Sequence, residues 1–370
     1  MLALRLARGS RPLVQLGRIA VAATAGGVAF LLLSTLTLAL KDPAGAFLRL
    51  VWCVPPLAAT VYFAIAVART DPATRPSGGL SSLGVGPARR ALIAAASTVL
   101  ACAAGSLAAL LLFWHLRGDA GGLLPFAGAA RGLLAADREL PTAAVVTLLA
   151  VVPLVAGAAG ALALRPRAET DAEPGRALPW GVALTAVGLA VEAYASRGAP
   201  GAALPMPARF EGGSAGVVAG WALTAAGLVL SGPGLTDLCG RLLQAVRPGA
   251  VRLLAGRILR TEAGRIGRPL GVASAVASGL IAAGAVQGGP PGPLTVLGGV
   301  LVVGCTAATL VAAAVAARAA RAEDTAALLR MGAPMRTLRL AALLRATALL
   351  AVFGPLTWAV GMLAALPLTD

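Results

Sequence analysis

The sequence predicts an all-α, polytopic integral membrane protein of about nine transmembrane helices (eight to ten), with no large extracytoplasmic domain. Three observations carry this. Hydrophobic residues make up 58% of the 370 and charged residues only 12%, about half of the roughly 25% charged content of an ordinary soluble domain. The mean hydropathy is +0.85. The charged side chains sit in short segments between apolar runs, each run long enough to cross about 30 Å of hydrocarbon.

In chain order, Arg5, Arg8, Arg11 and Arg18 precede a first apolar run at 19–40. It is long enough to span and lacks a convincing cleavage site, so it reads as a retained span rather than a signal peptide. Lys41, Asp42 and Pro43 end it. A second span covers 47–68, where Pro55 and Pro56 predict a kink. The polar connector 69–90 contains Pro72, Pro76, Leu83, Gly84, Arg89 and Arg90 and leads to a third span at 91–114. The loop 117–141, with Asp137 and Glu139, precedes a fourth span at 142–164. A mixed-charge connector, 165–178, precedes a fifth at 179–196, and a Gly/Pro-rich loop with Arg209 and Glu211 precedes a sixth at 214–230. The longest polar segment, 231–268, is partly amphipathic and carries seven arginines from Arg241 to Arg268. A seventh span at 269–287, an eighth at 294–317 and a ninth at 338–366, bent at Gly354 and Pro355, complete the set.

The formal net charge of +16 would suggest nucleic acid in a soluble protein. Here the arginines lie where topology signals lie, and aromatics at 4% provide no stacking platform for bases, so nucleic acid is not an expected partner. Lys41 is the only lysine. With the N-terminus cytoplasmic, the inner segments hold about 23 arginines against about 8 acids and the outer ones about 7 basic residues and about 7 acids, as the positive-inside rule requires. That orientation is the expected one, in a cell (plasma) membrane with lipid as the surrounding partner. The Arg, Ala and Gly bias resembles a GC-rich bacterial genome, and small residues let membrane helices approach closely. Cys53, Cys102, Cys239 and Cys305 lie in or at the ends of apolar runs without C-x-x-C spacing and read as small buried residues.

The segment 317–350 organises the rest. A charged stretch with Arg318, Arg321, Glu323, Asp324 and Arg330 is followed by a break at Met331, Gly332, Ala333 and Pro334, then by Arg336 and Arg339 opening another apolar helix. It cannot enter hydrocarbon, where each ionised side chain costs roughly 2.5–3.5 kcal/mol, so it must be presented at the membrane surface. The first connector echoes it. Gly17 and Arg18 precede one span and Gly264 and Arg265 another, and Leu83–Gly84 before Arg89 matches Met331–Gly332 before Arg336, at an offset of about 248 residues. The implied organisation is a first repeat of three spans over 1–116, central spans over 117–231, a cytoplasmic basic linker over 232–268 and a second repeat over 269–370.

Residues 318–336 resemble the cytoplasmic connector of the FtsX-like permease family of ATP-binding cassette (ABC) transporters, in which a mixed-charge helix is followed by Leu-Arg-x-Leu-Gly-Ala and a basic start to the next span. Glu323, Leu329, Arg330, Gly332 and Ala333 fall on the family positions, with Met331 in place of the usual Leu. The resemblance covers 251–366 well and 4–114 loosely. It implies a permease subunit that couples through Leu83, Gly84 and Arg89 in one connector, and through Glu323, Leu329, Arg330, Met331, Gly332 and Ala333 in the other, to a cytoplasmic ATPase dimer. The chain departs from the family in lacking room for an extracytoplasmic domain, in having Pro72 and Pro76 in the first connector, and in ending its second repeat one span early.

No Walker A loop can be built around Lys41, so ATP would be bound by the partner and the chain itself needs no cofactor and is not read as an enzyme. His115 beside Trp114 reads as an interfacial anchor. Glu192, an acid inside the fifth span, is a functional candidate at a depth expected to reach water. Arg345 is expected to snorkel to the inner interface. Two other readings stand beside the permease: a secondary transporter, for which midplane ionisable groups are few, and an intramembrane enzyme acting on lipid-linked substrates, for which Asp137 and Glu139 are the available acids.

Overall fold

The structure is a computed structural model and describes residues 12–41, 46–70, 87–118, 128–130, 132, 134, 140–164, 174–197, 215–245, 249–286, 291–332 and 334–369. Among these residues it is all-helical with no strand, and nine helices are long and apolar enough to cross a membrane. The protein is therefore an all-α, multi-pass membrane protein. Its contacts divide it into two compact units, and the division falls inside one helix, between residues 309 and 310.

The first unit holds α1 (Pro12–Lys41), α2 (Ala46–Val51), α3 (Val54–Thr70), α4 (Pro87–Arg117), α5 (Thr142–Ala163) and the opening of α9 (Pro293–Ala320). Its core is built from Ala25 and Val28 of α1, Phe63 and Ala64 of α3, Cys102 of α4, Val152 and Ala156 of α5, and Cys305 of α9. Lipid provides no hydrophobic drive between helices, so close backbone approach must supply the packing. It does so where α1 crosses α4: a Cβ on Gly105 would collide with the Ala22 carbonyl oxygen, and one on Gly26 would lie 2.9 Å from the Gly105 oxygen. Thr60 Oγ1 and Cys305 Sγ, 3.5 Å apart, add a buried polar contact. On α4, Leu92, Leu100, Leu107 and Leu111 are exposed, as suits a face turned to acyl chains.

The second unit holds a 3-10 turn (Pro174–Ala177), α6 (Leu178–Arg197), α7 (Ala215–Ala245), α8 (Ala250–Val286), the end of α9, α10 (Ala322–Arg330) and α11 (Met335–Thr369). Small residues again fill the crossings. A Cβ on Gly181 would sit 2.6 Å from the Ser231 nitrogen between α6 and α7, and one on Gly271 would sit 2.6 Å from the Leu228 oxygen between α7 and α8. Ala282 of α8 packs with Ala364 and Ala365 of α11.

Two expectations change in detail. The second span is broken rather than kinked: the helix turns at Trp52 and Cys53 and restarts at Val54, which places Pro55 and Pro56 in the first turn of α3, where a missing backbone N–H is tolerated. The sixth and seventh apolar runs end near Leu230 and Pro269, but α7 continues to Ala245 and α8 starts at Ala250. Most of the expected basic linker is therefore a helical hairpin, because the chain leaving hydrocarbon loses only its apolar character, not its helical hydrogen bonding. Pro355, where a bend is expected, lies inside α11, which continues to Thr369.

Gly105→Ala is expected to destabilise the protein by about 1–3 kcal/mol, since a backbone carbonyl is the atom in the way. Gly304→Ala, with nothing within 4 Å of its Cβ position, is expected to be neutral. Thermal unfolding in detergent distinguishes the two, and equal midpoints would show that the α1–α4 approach is not a stabilising contact.

Candidate functional site

Charge-free stretches set the level of the site. In the second unit α7 carries no charge until Asp237, α8 none after Arg268, α9 none until Arg318 and α11 none after Arg345. These helices alternate in direction, so all four boundaries fall at the end of the unit where the α7–α8 and α9–α11 connections lie.

Two ion pairs occupy that level. Asp237, with 8% of its side chain exposed, accepts from Arg241 Nε at 2.7 Å and from Arg260 Nε at 3.2 Å, joining α7 to α8 across the hairpin. Both arginines are about half exposed, so water screens the pairing and its value lies in geometry more than in energy. Glu262 of α8 accepts from Arg321 Nε at 3.1 Å, and here both side chains are largely enclosed. The same Nε lies 3.1 Å from the Ala317 oxygen, so Arg321 is oriented by its own helix as well. Arg265 and Arg345 lie within electrostatic range of Glu262.

This pair fixes the start of the connector. α10 begins at Ala322, one residue after Arg321, with Glu323 and Asp324 in its first turn and Arg330 in its last. That charge order complements the helix dipole at both ends. None of its residues is buried. The Met331 nitrogen donates to the Ala327 oxygen and the Gly332 nitrogen to the Leu329 oxygen, both at 3.0 Å, and Gly332 adopts φ 87°. This left-handed closure ends the helix, and a side chain there would be strained. Pro334 follows, its oxygen accepting from Thr337 Oγ1 at the start of α11. Met331 is 75% exposed, with Leu329 and Met335 also exposed beside it.

The predicted residues divide accordingly. Glu323, Leu329, Arg330, Met331 and Gly332 are brought together on this connector, while Ala333, Leu83, Gly84, Asp137 and Glu139 lie outside the described residues. Arg89 falls in the first turn of α4, where only its backbone is described. Sequence reasoning missed Glu262 and Asp237, which it absorbed into a basic linker; two isolated acids within a run of arginines, with Asp237 and Arg241 one helical turn apart, were the available signal.

Glu192 differs from expectation. It is fully buried rather than in reach of water. The Trp221 Nε1–H donates to its Oε1, Oε2 has no partner, and Gly220 of α7 makes room for it: a Cβ there would lie 2.9 Å from the Glu192 Cβ. In the first unit, Arg18, Val67, Ser97 and Thr98 line a shallow open crevice. No group of three or more metal-ligating side chains forms among the described residues.

These features define a multi-pass helical membrane protein with a charged, surface-presented connector helix clamped to the second unit. Comparison with family models, with curated proteins and with solved structures finds no match.

Glu262→Gln is expected to leave the helix content intact and to speed amide hydrogen exchange across 321–332, because the connector loses its charged anchor. Exchange at the wild-type rate there would show that Arg321 is held by its own helix alone.

Proposed function

We propose that this chain is the permease subunit of an ABC transporter of the FtsX-like kind, in the plasma membrane of a bacterium with its N-terminus in the cytoplasm. It carries no ATPase of its own. It couples to a cytoplasmic ATPase dimer and exports or extracts an apolar or amphipathic substrate, or transmits a signal across the membrane.

The observation that carries this reading is α10 itself. A helix of nine residues, too short to be stable alone in water, lies between two membrane-spanning helices and buries none of its side chains. It ends in a turn that projects Met331. Such a helix, charged at both ends, with Ala and Leu between them and an apolar tip, suits a groove in a soluble protein. Two close approaches support the repeat reading: in the first unit α1 packs on α4, and in the second α8 packs on α11, where a Cβ on Gly361 would meet Ile281 at 2.8 Å. The starts of α4 and α11 keep the offset of about 248 residues seen in the sequence.

The test is purification of the full chain from its native host, with the bound subunits identified by mass spectrometry and assayed for nucleotide hydrolysis. A Walker-type ATPase is expected with the wild type. It should be lost from Arg330→Glu and from Gly332→Val, where a β-branched residue in the left-handed conformation costs roughly 1–2 kcal/mol locally while the spans remain folded. Equal recovery of the ATPase with both variants, or cysteine labelling of Met331→Cys only from the outer side of the membrane, would sink the reading.

A further inference from the structure

Around Glu262 the second unit sets one enclosed carboxylate among several arginines. Three guanidinium groups, those of Arg265, Arg321 and Arg345, lie within electrostatic range of this one carboxylate. Arg321 and Arg345 also act on each other as like charges. Arg321 and Arg345 are both partly enclosed and share the one carboxylate of Glu262, so an anion beside them would offset their mutual repulsion.

The donors needed to hold an anion are present. Arg321 spends its Nε on Glu262 and the Ala317 oxygen, and its buried Nη1 has no acceptor. Arg345 makes one weak contact, from Nε to the Ala341 oxygen of its own helix at 3.3 Å, and its terminal nitrogens meet no acceptor among the described residues. Arg265 is exposed on α8, with no ion pair or hydrogen bond of its side chain among the described residues. Glu262 Oε2 is also buried without a partner, so the cluster offers one acceptor beside its donors.

The position of the cluster identifies the source of the anion. Arg265 lies just before the charge-free run of α8, Arg321 just after that of α9, and Arg345 immediately before that of α11. This is the depth at which phospholipid phosphates lie relative to hydrocarbon. Leu343 and Leu350, both well exposed, bracket Arg345 in α11 and offer apolar surface to acyl chains. We propose that Arg265, Arg321 and Arg345 form a binding site for the phosphate of an anionic phospholipid, with Glu262 positioning Arg321 and its free oxygen accepting from a headgroup hydroxyl. The guanidinium forks match phosphate oxygens in pairs, which favours arginine over lysine at such a site. The inference stands independently of any ATPase partner.

The experiment uses the full chain in nanodiscs of phosphatidylcholine with and without phosphatidylglycerol, reading lipid retained through detergent exchange by native mass spectrometry together with the midpoint of thermal unfolding. The wild type is expected to retain phosphatidylglycerol and to unfold at higher temperature in its presence. Arg345→Gln and Arg265→Gln should each weaken retention about fivefold, the scale of one basic residue at an anionic surface. Arg265 is exposed and makes no hydrogen bond or ion pair among the described residues, so its variant decides the matter if Arg345→Gln fails to fold. Wild-type retention by the folded variants would overturn the proposal. So would displacement of the lipid by inorganic phosphate, which would make the site one for a free anion, or equal retention of phosphatidylcholine.

Discussion

Ionised side chains are excluded from hydrocarbon, and the rest of the second unit follows from where that exclusion places them. Each charge at the bilayer centre costs roughly 2.5–3.5 kcal/mol on insertion scales, whereas a helical backbone satisfies its own hydrogen bonds in lipid or water alike. Apolar runs and helices therefore need not end together. In α7 and α8 they do not: both helices pass the boundary, α7 to Ala245 and α8 from Ala250, and pair beyond it as a charged hairpin. Asp237 and Glu262 stand near that boundary, where an acid can be enclosed only with arginines against it, and each is found so paired.

Below the boundary the same solvent imposes a different rule. Apolar side chains gain nothing by leaving lipid for one another, so the helices are held by close approach at Gly, Ala, Ser and Thr. The small residues that dominate the composition are the means of this packing. Glu192 shows what it permits: Gly220 leaves space on α7 for a carboxyl side chain that Trp221 then hydrogen-bonds. A larger residue at 220 would press on the Glu192 backbone as well as its side chain, since a Cβ there lies 2.9 Å from both the Glu192 nitrogen and its Cβ.

The fold class was legible because length and apolarity are properties of runs, and every expected span has a helix at its position. The break after Arg330 was legible for a local reason: glycine and proline two residues apart permit a left-handed turn and then a helix start. Helix ends at 245 and 250 were not legible, because hydropathy reports the solvent and not the backbone. Nor was the role of Glu262. Its partner lies 59 residues away in sequence and is brought to it only when α8 and the end of α9 pack in one unit. Arg345 was read as a snorkelling side chain from its depth alone; its neighbours Glu262 and Arg321 come from two other elements.

The way α10 is held determines what it could transmit. Because it buries no side chain, its position depends on its two ends, and the ends lead to different helices. At one end Arg321 ties it to α8 through Glu262. At the other the Gly332 turn and Pro334 deliver it into α11 within a few residues. A force applied to a helix held this way passes to α9, with which it is nearly continuous, and through its two tethers to α8 and α11. Those two helices pack on each other through Ala282, Ala364 and Ala365. A rigid-body displacement of the pair, rather than a change of shape within either, is the motion that a partner gripping this connector would produce.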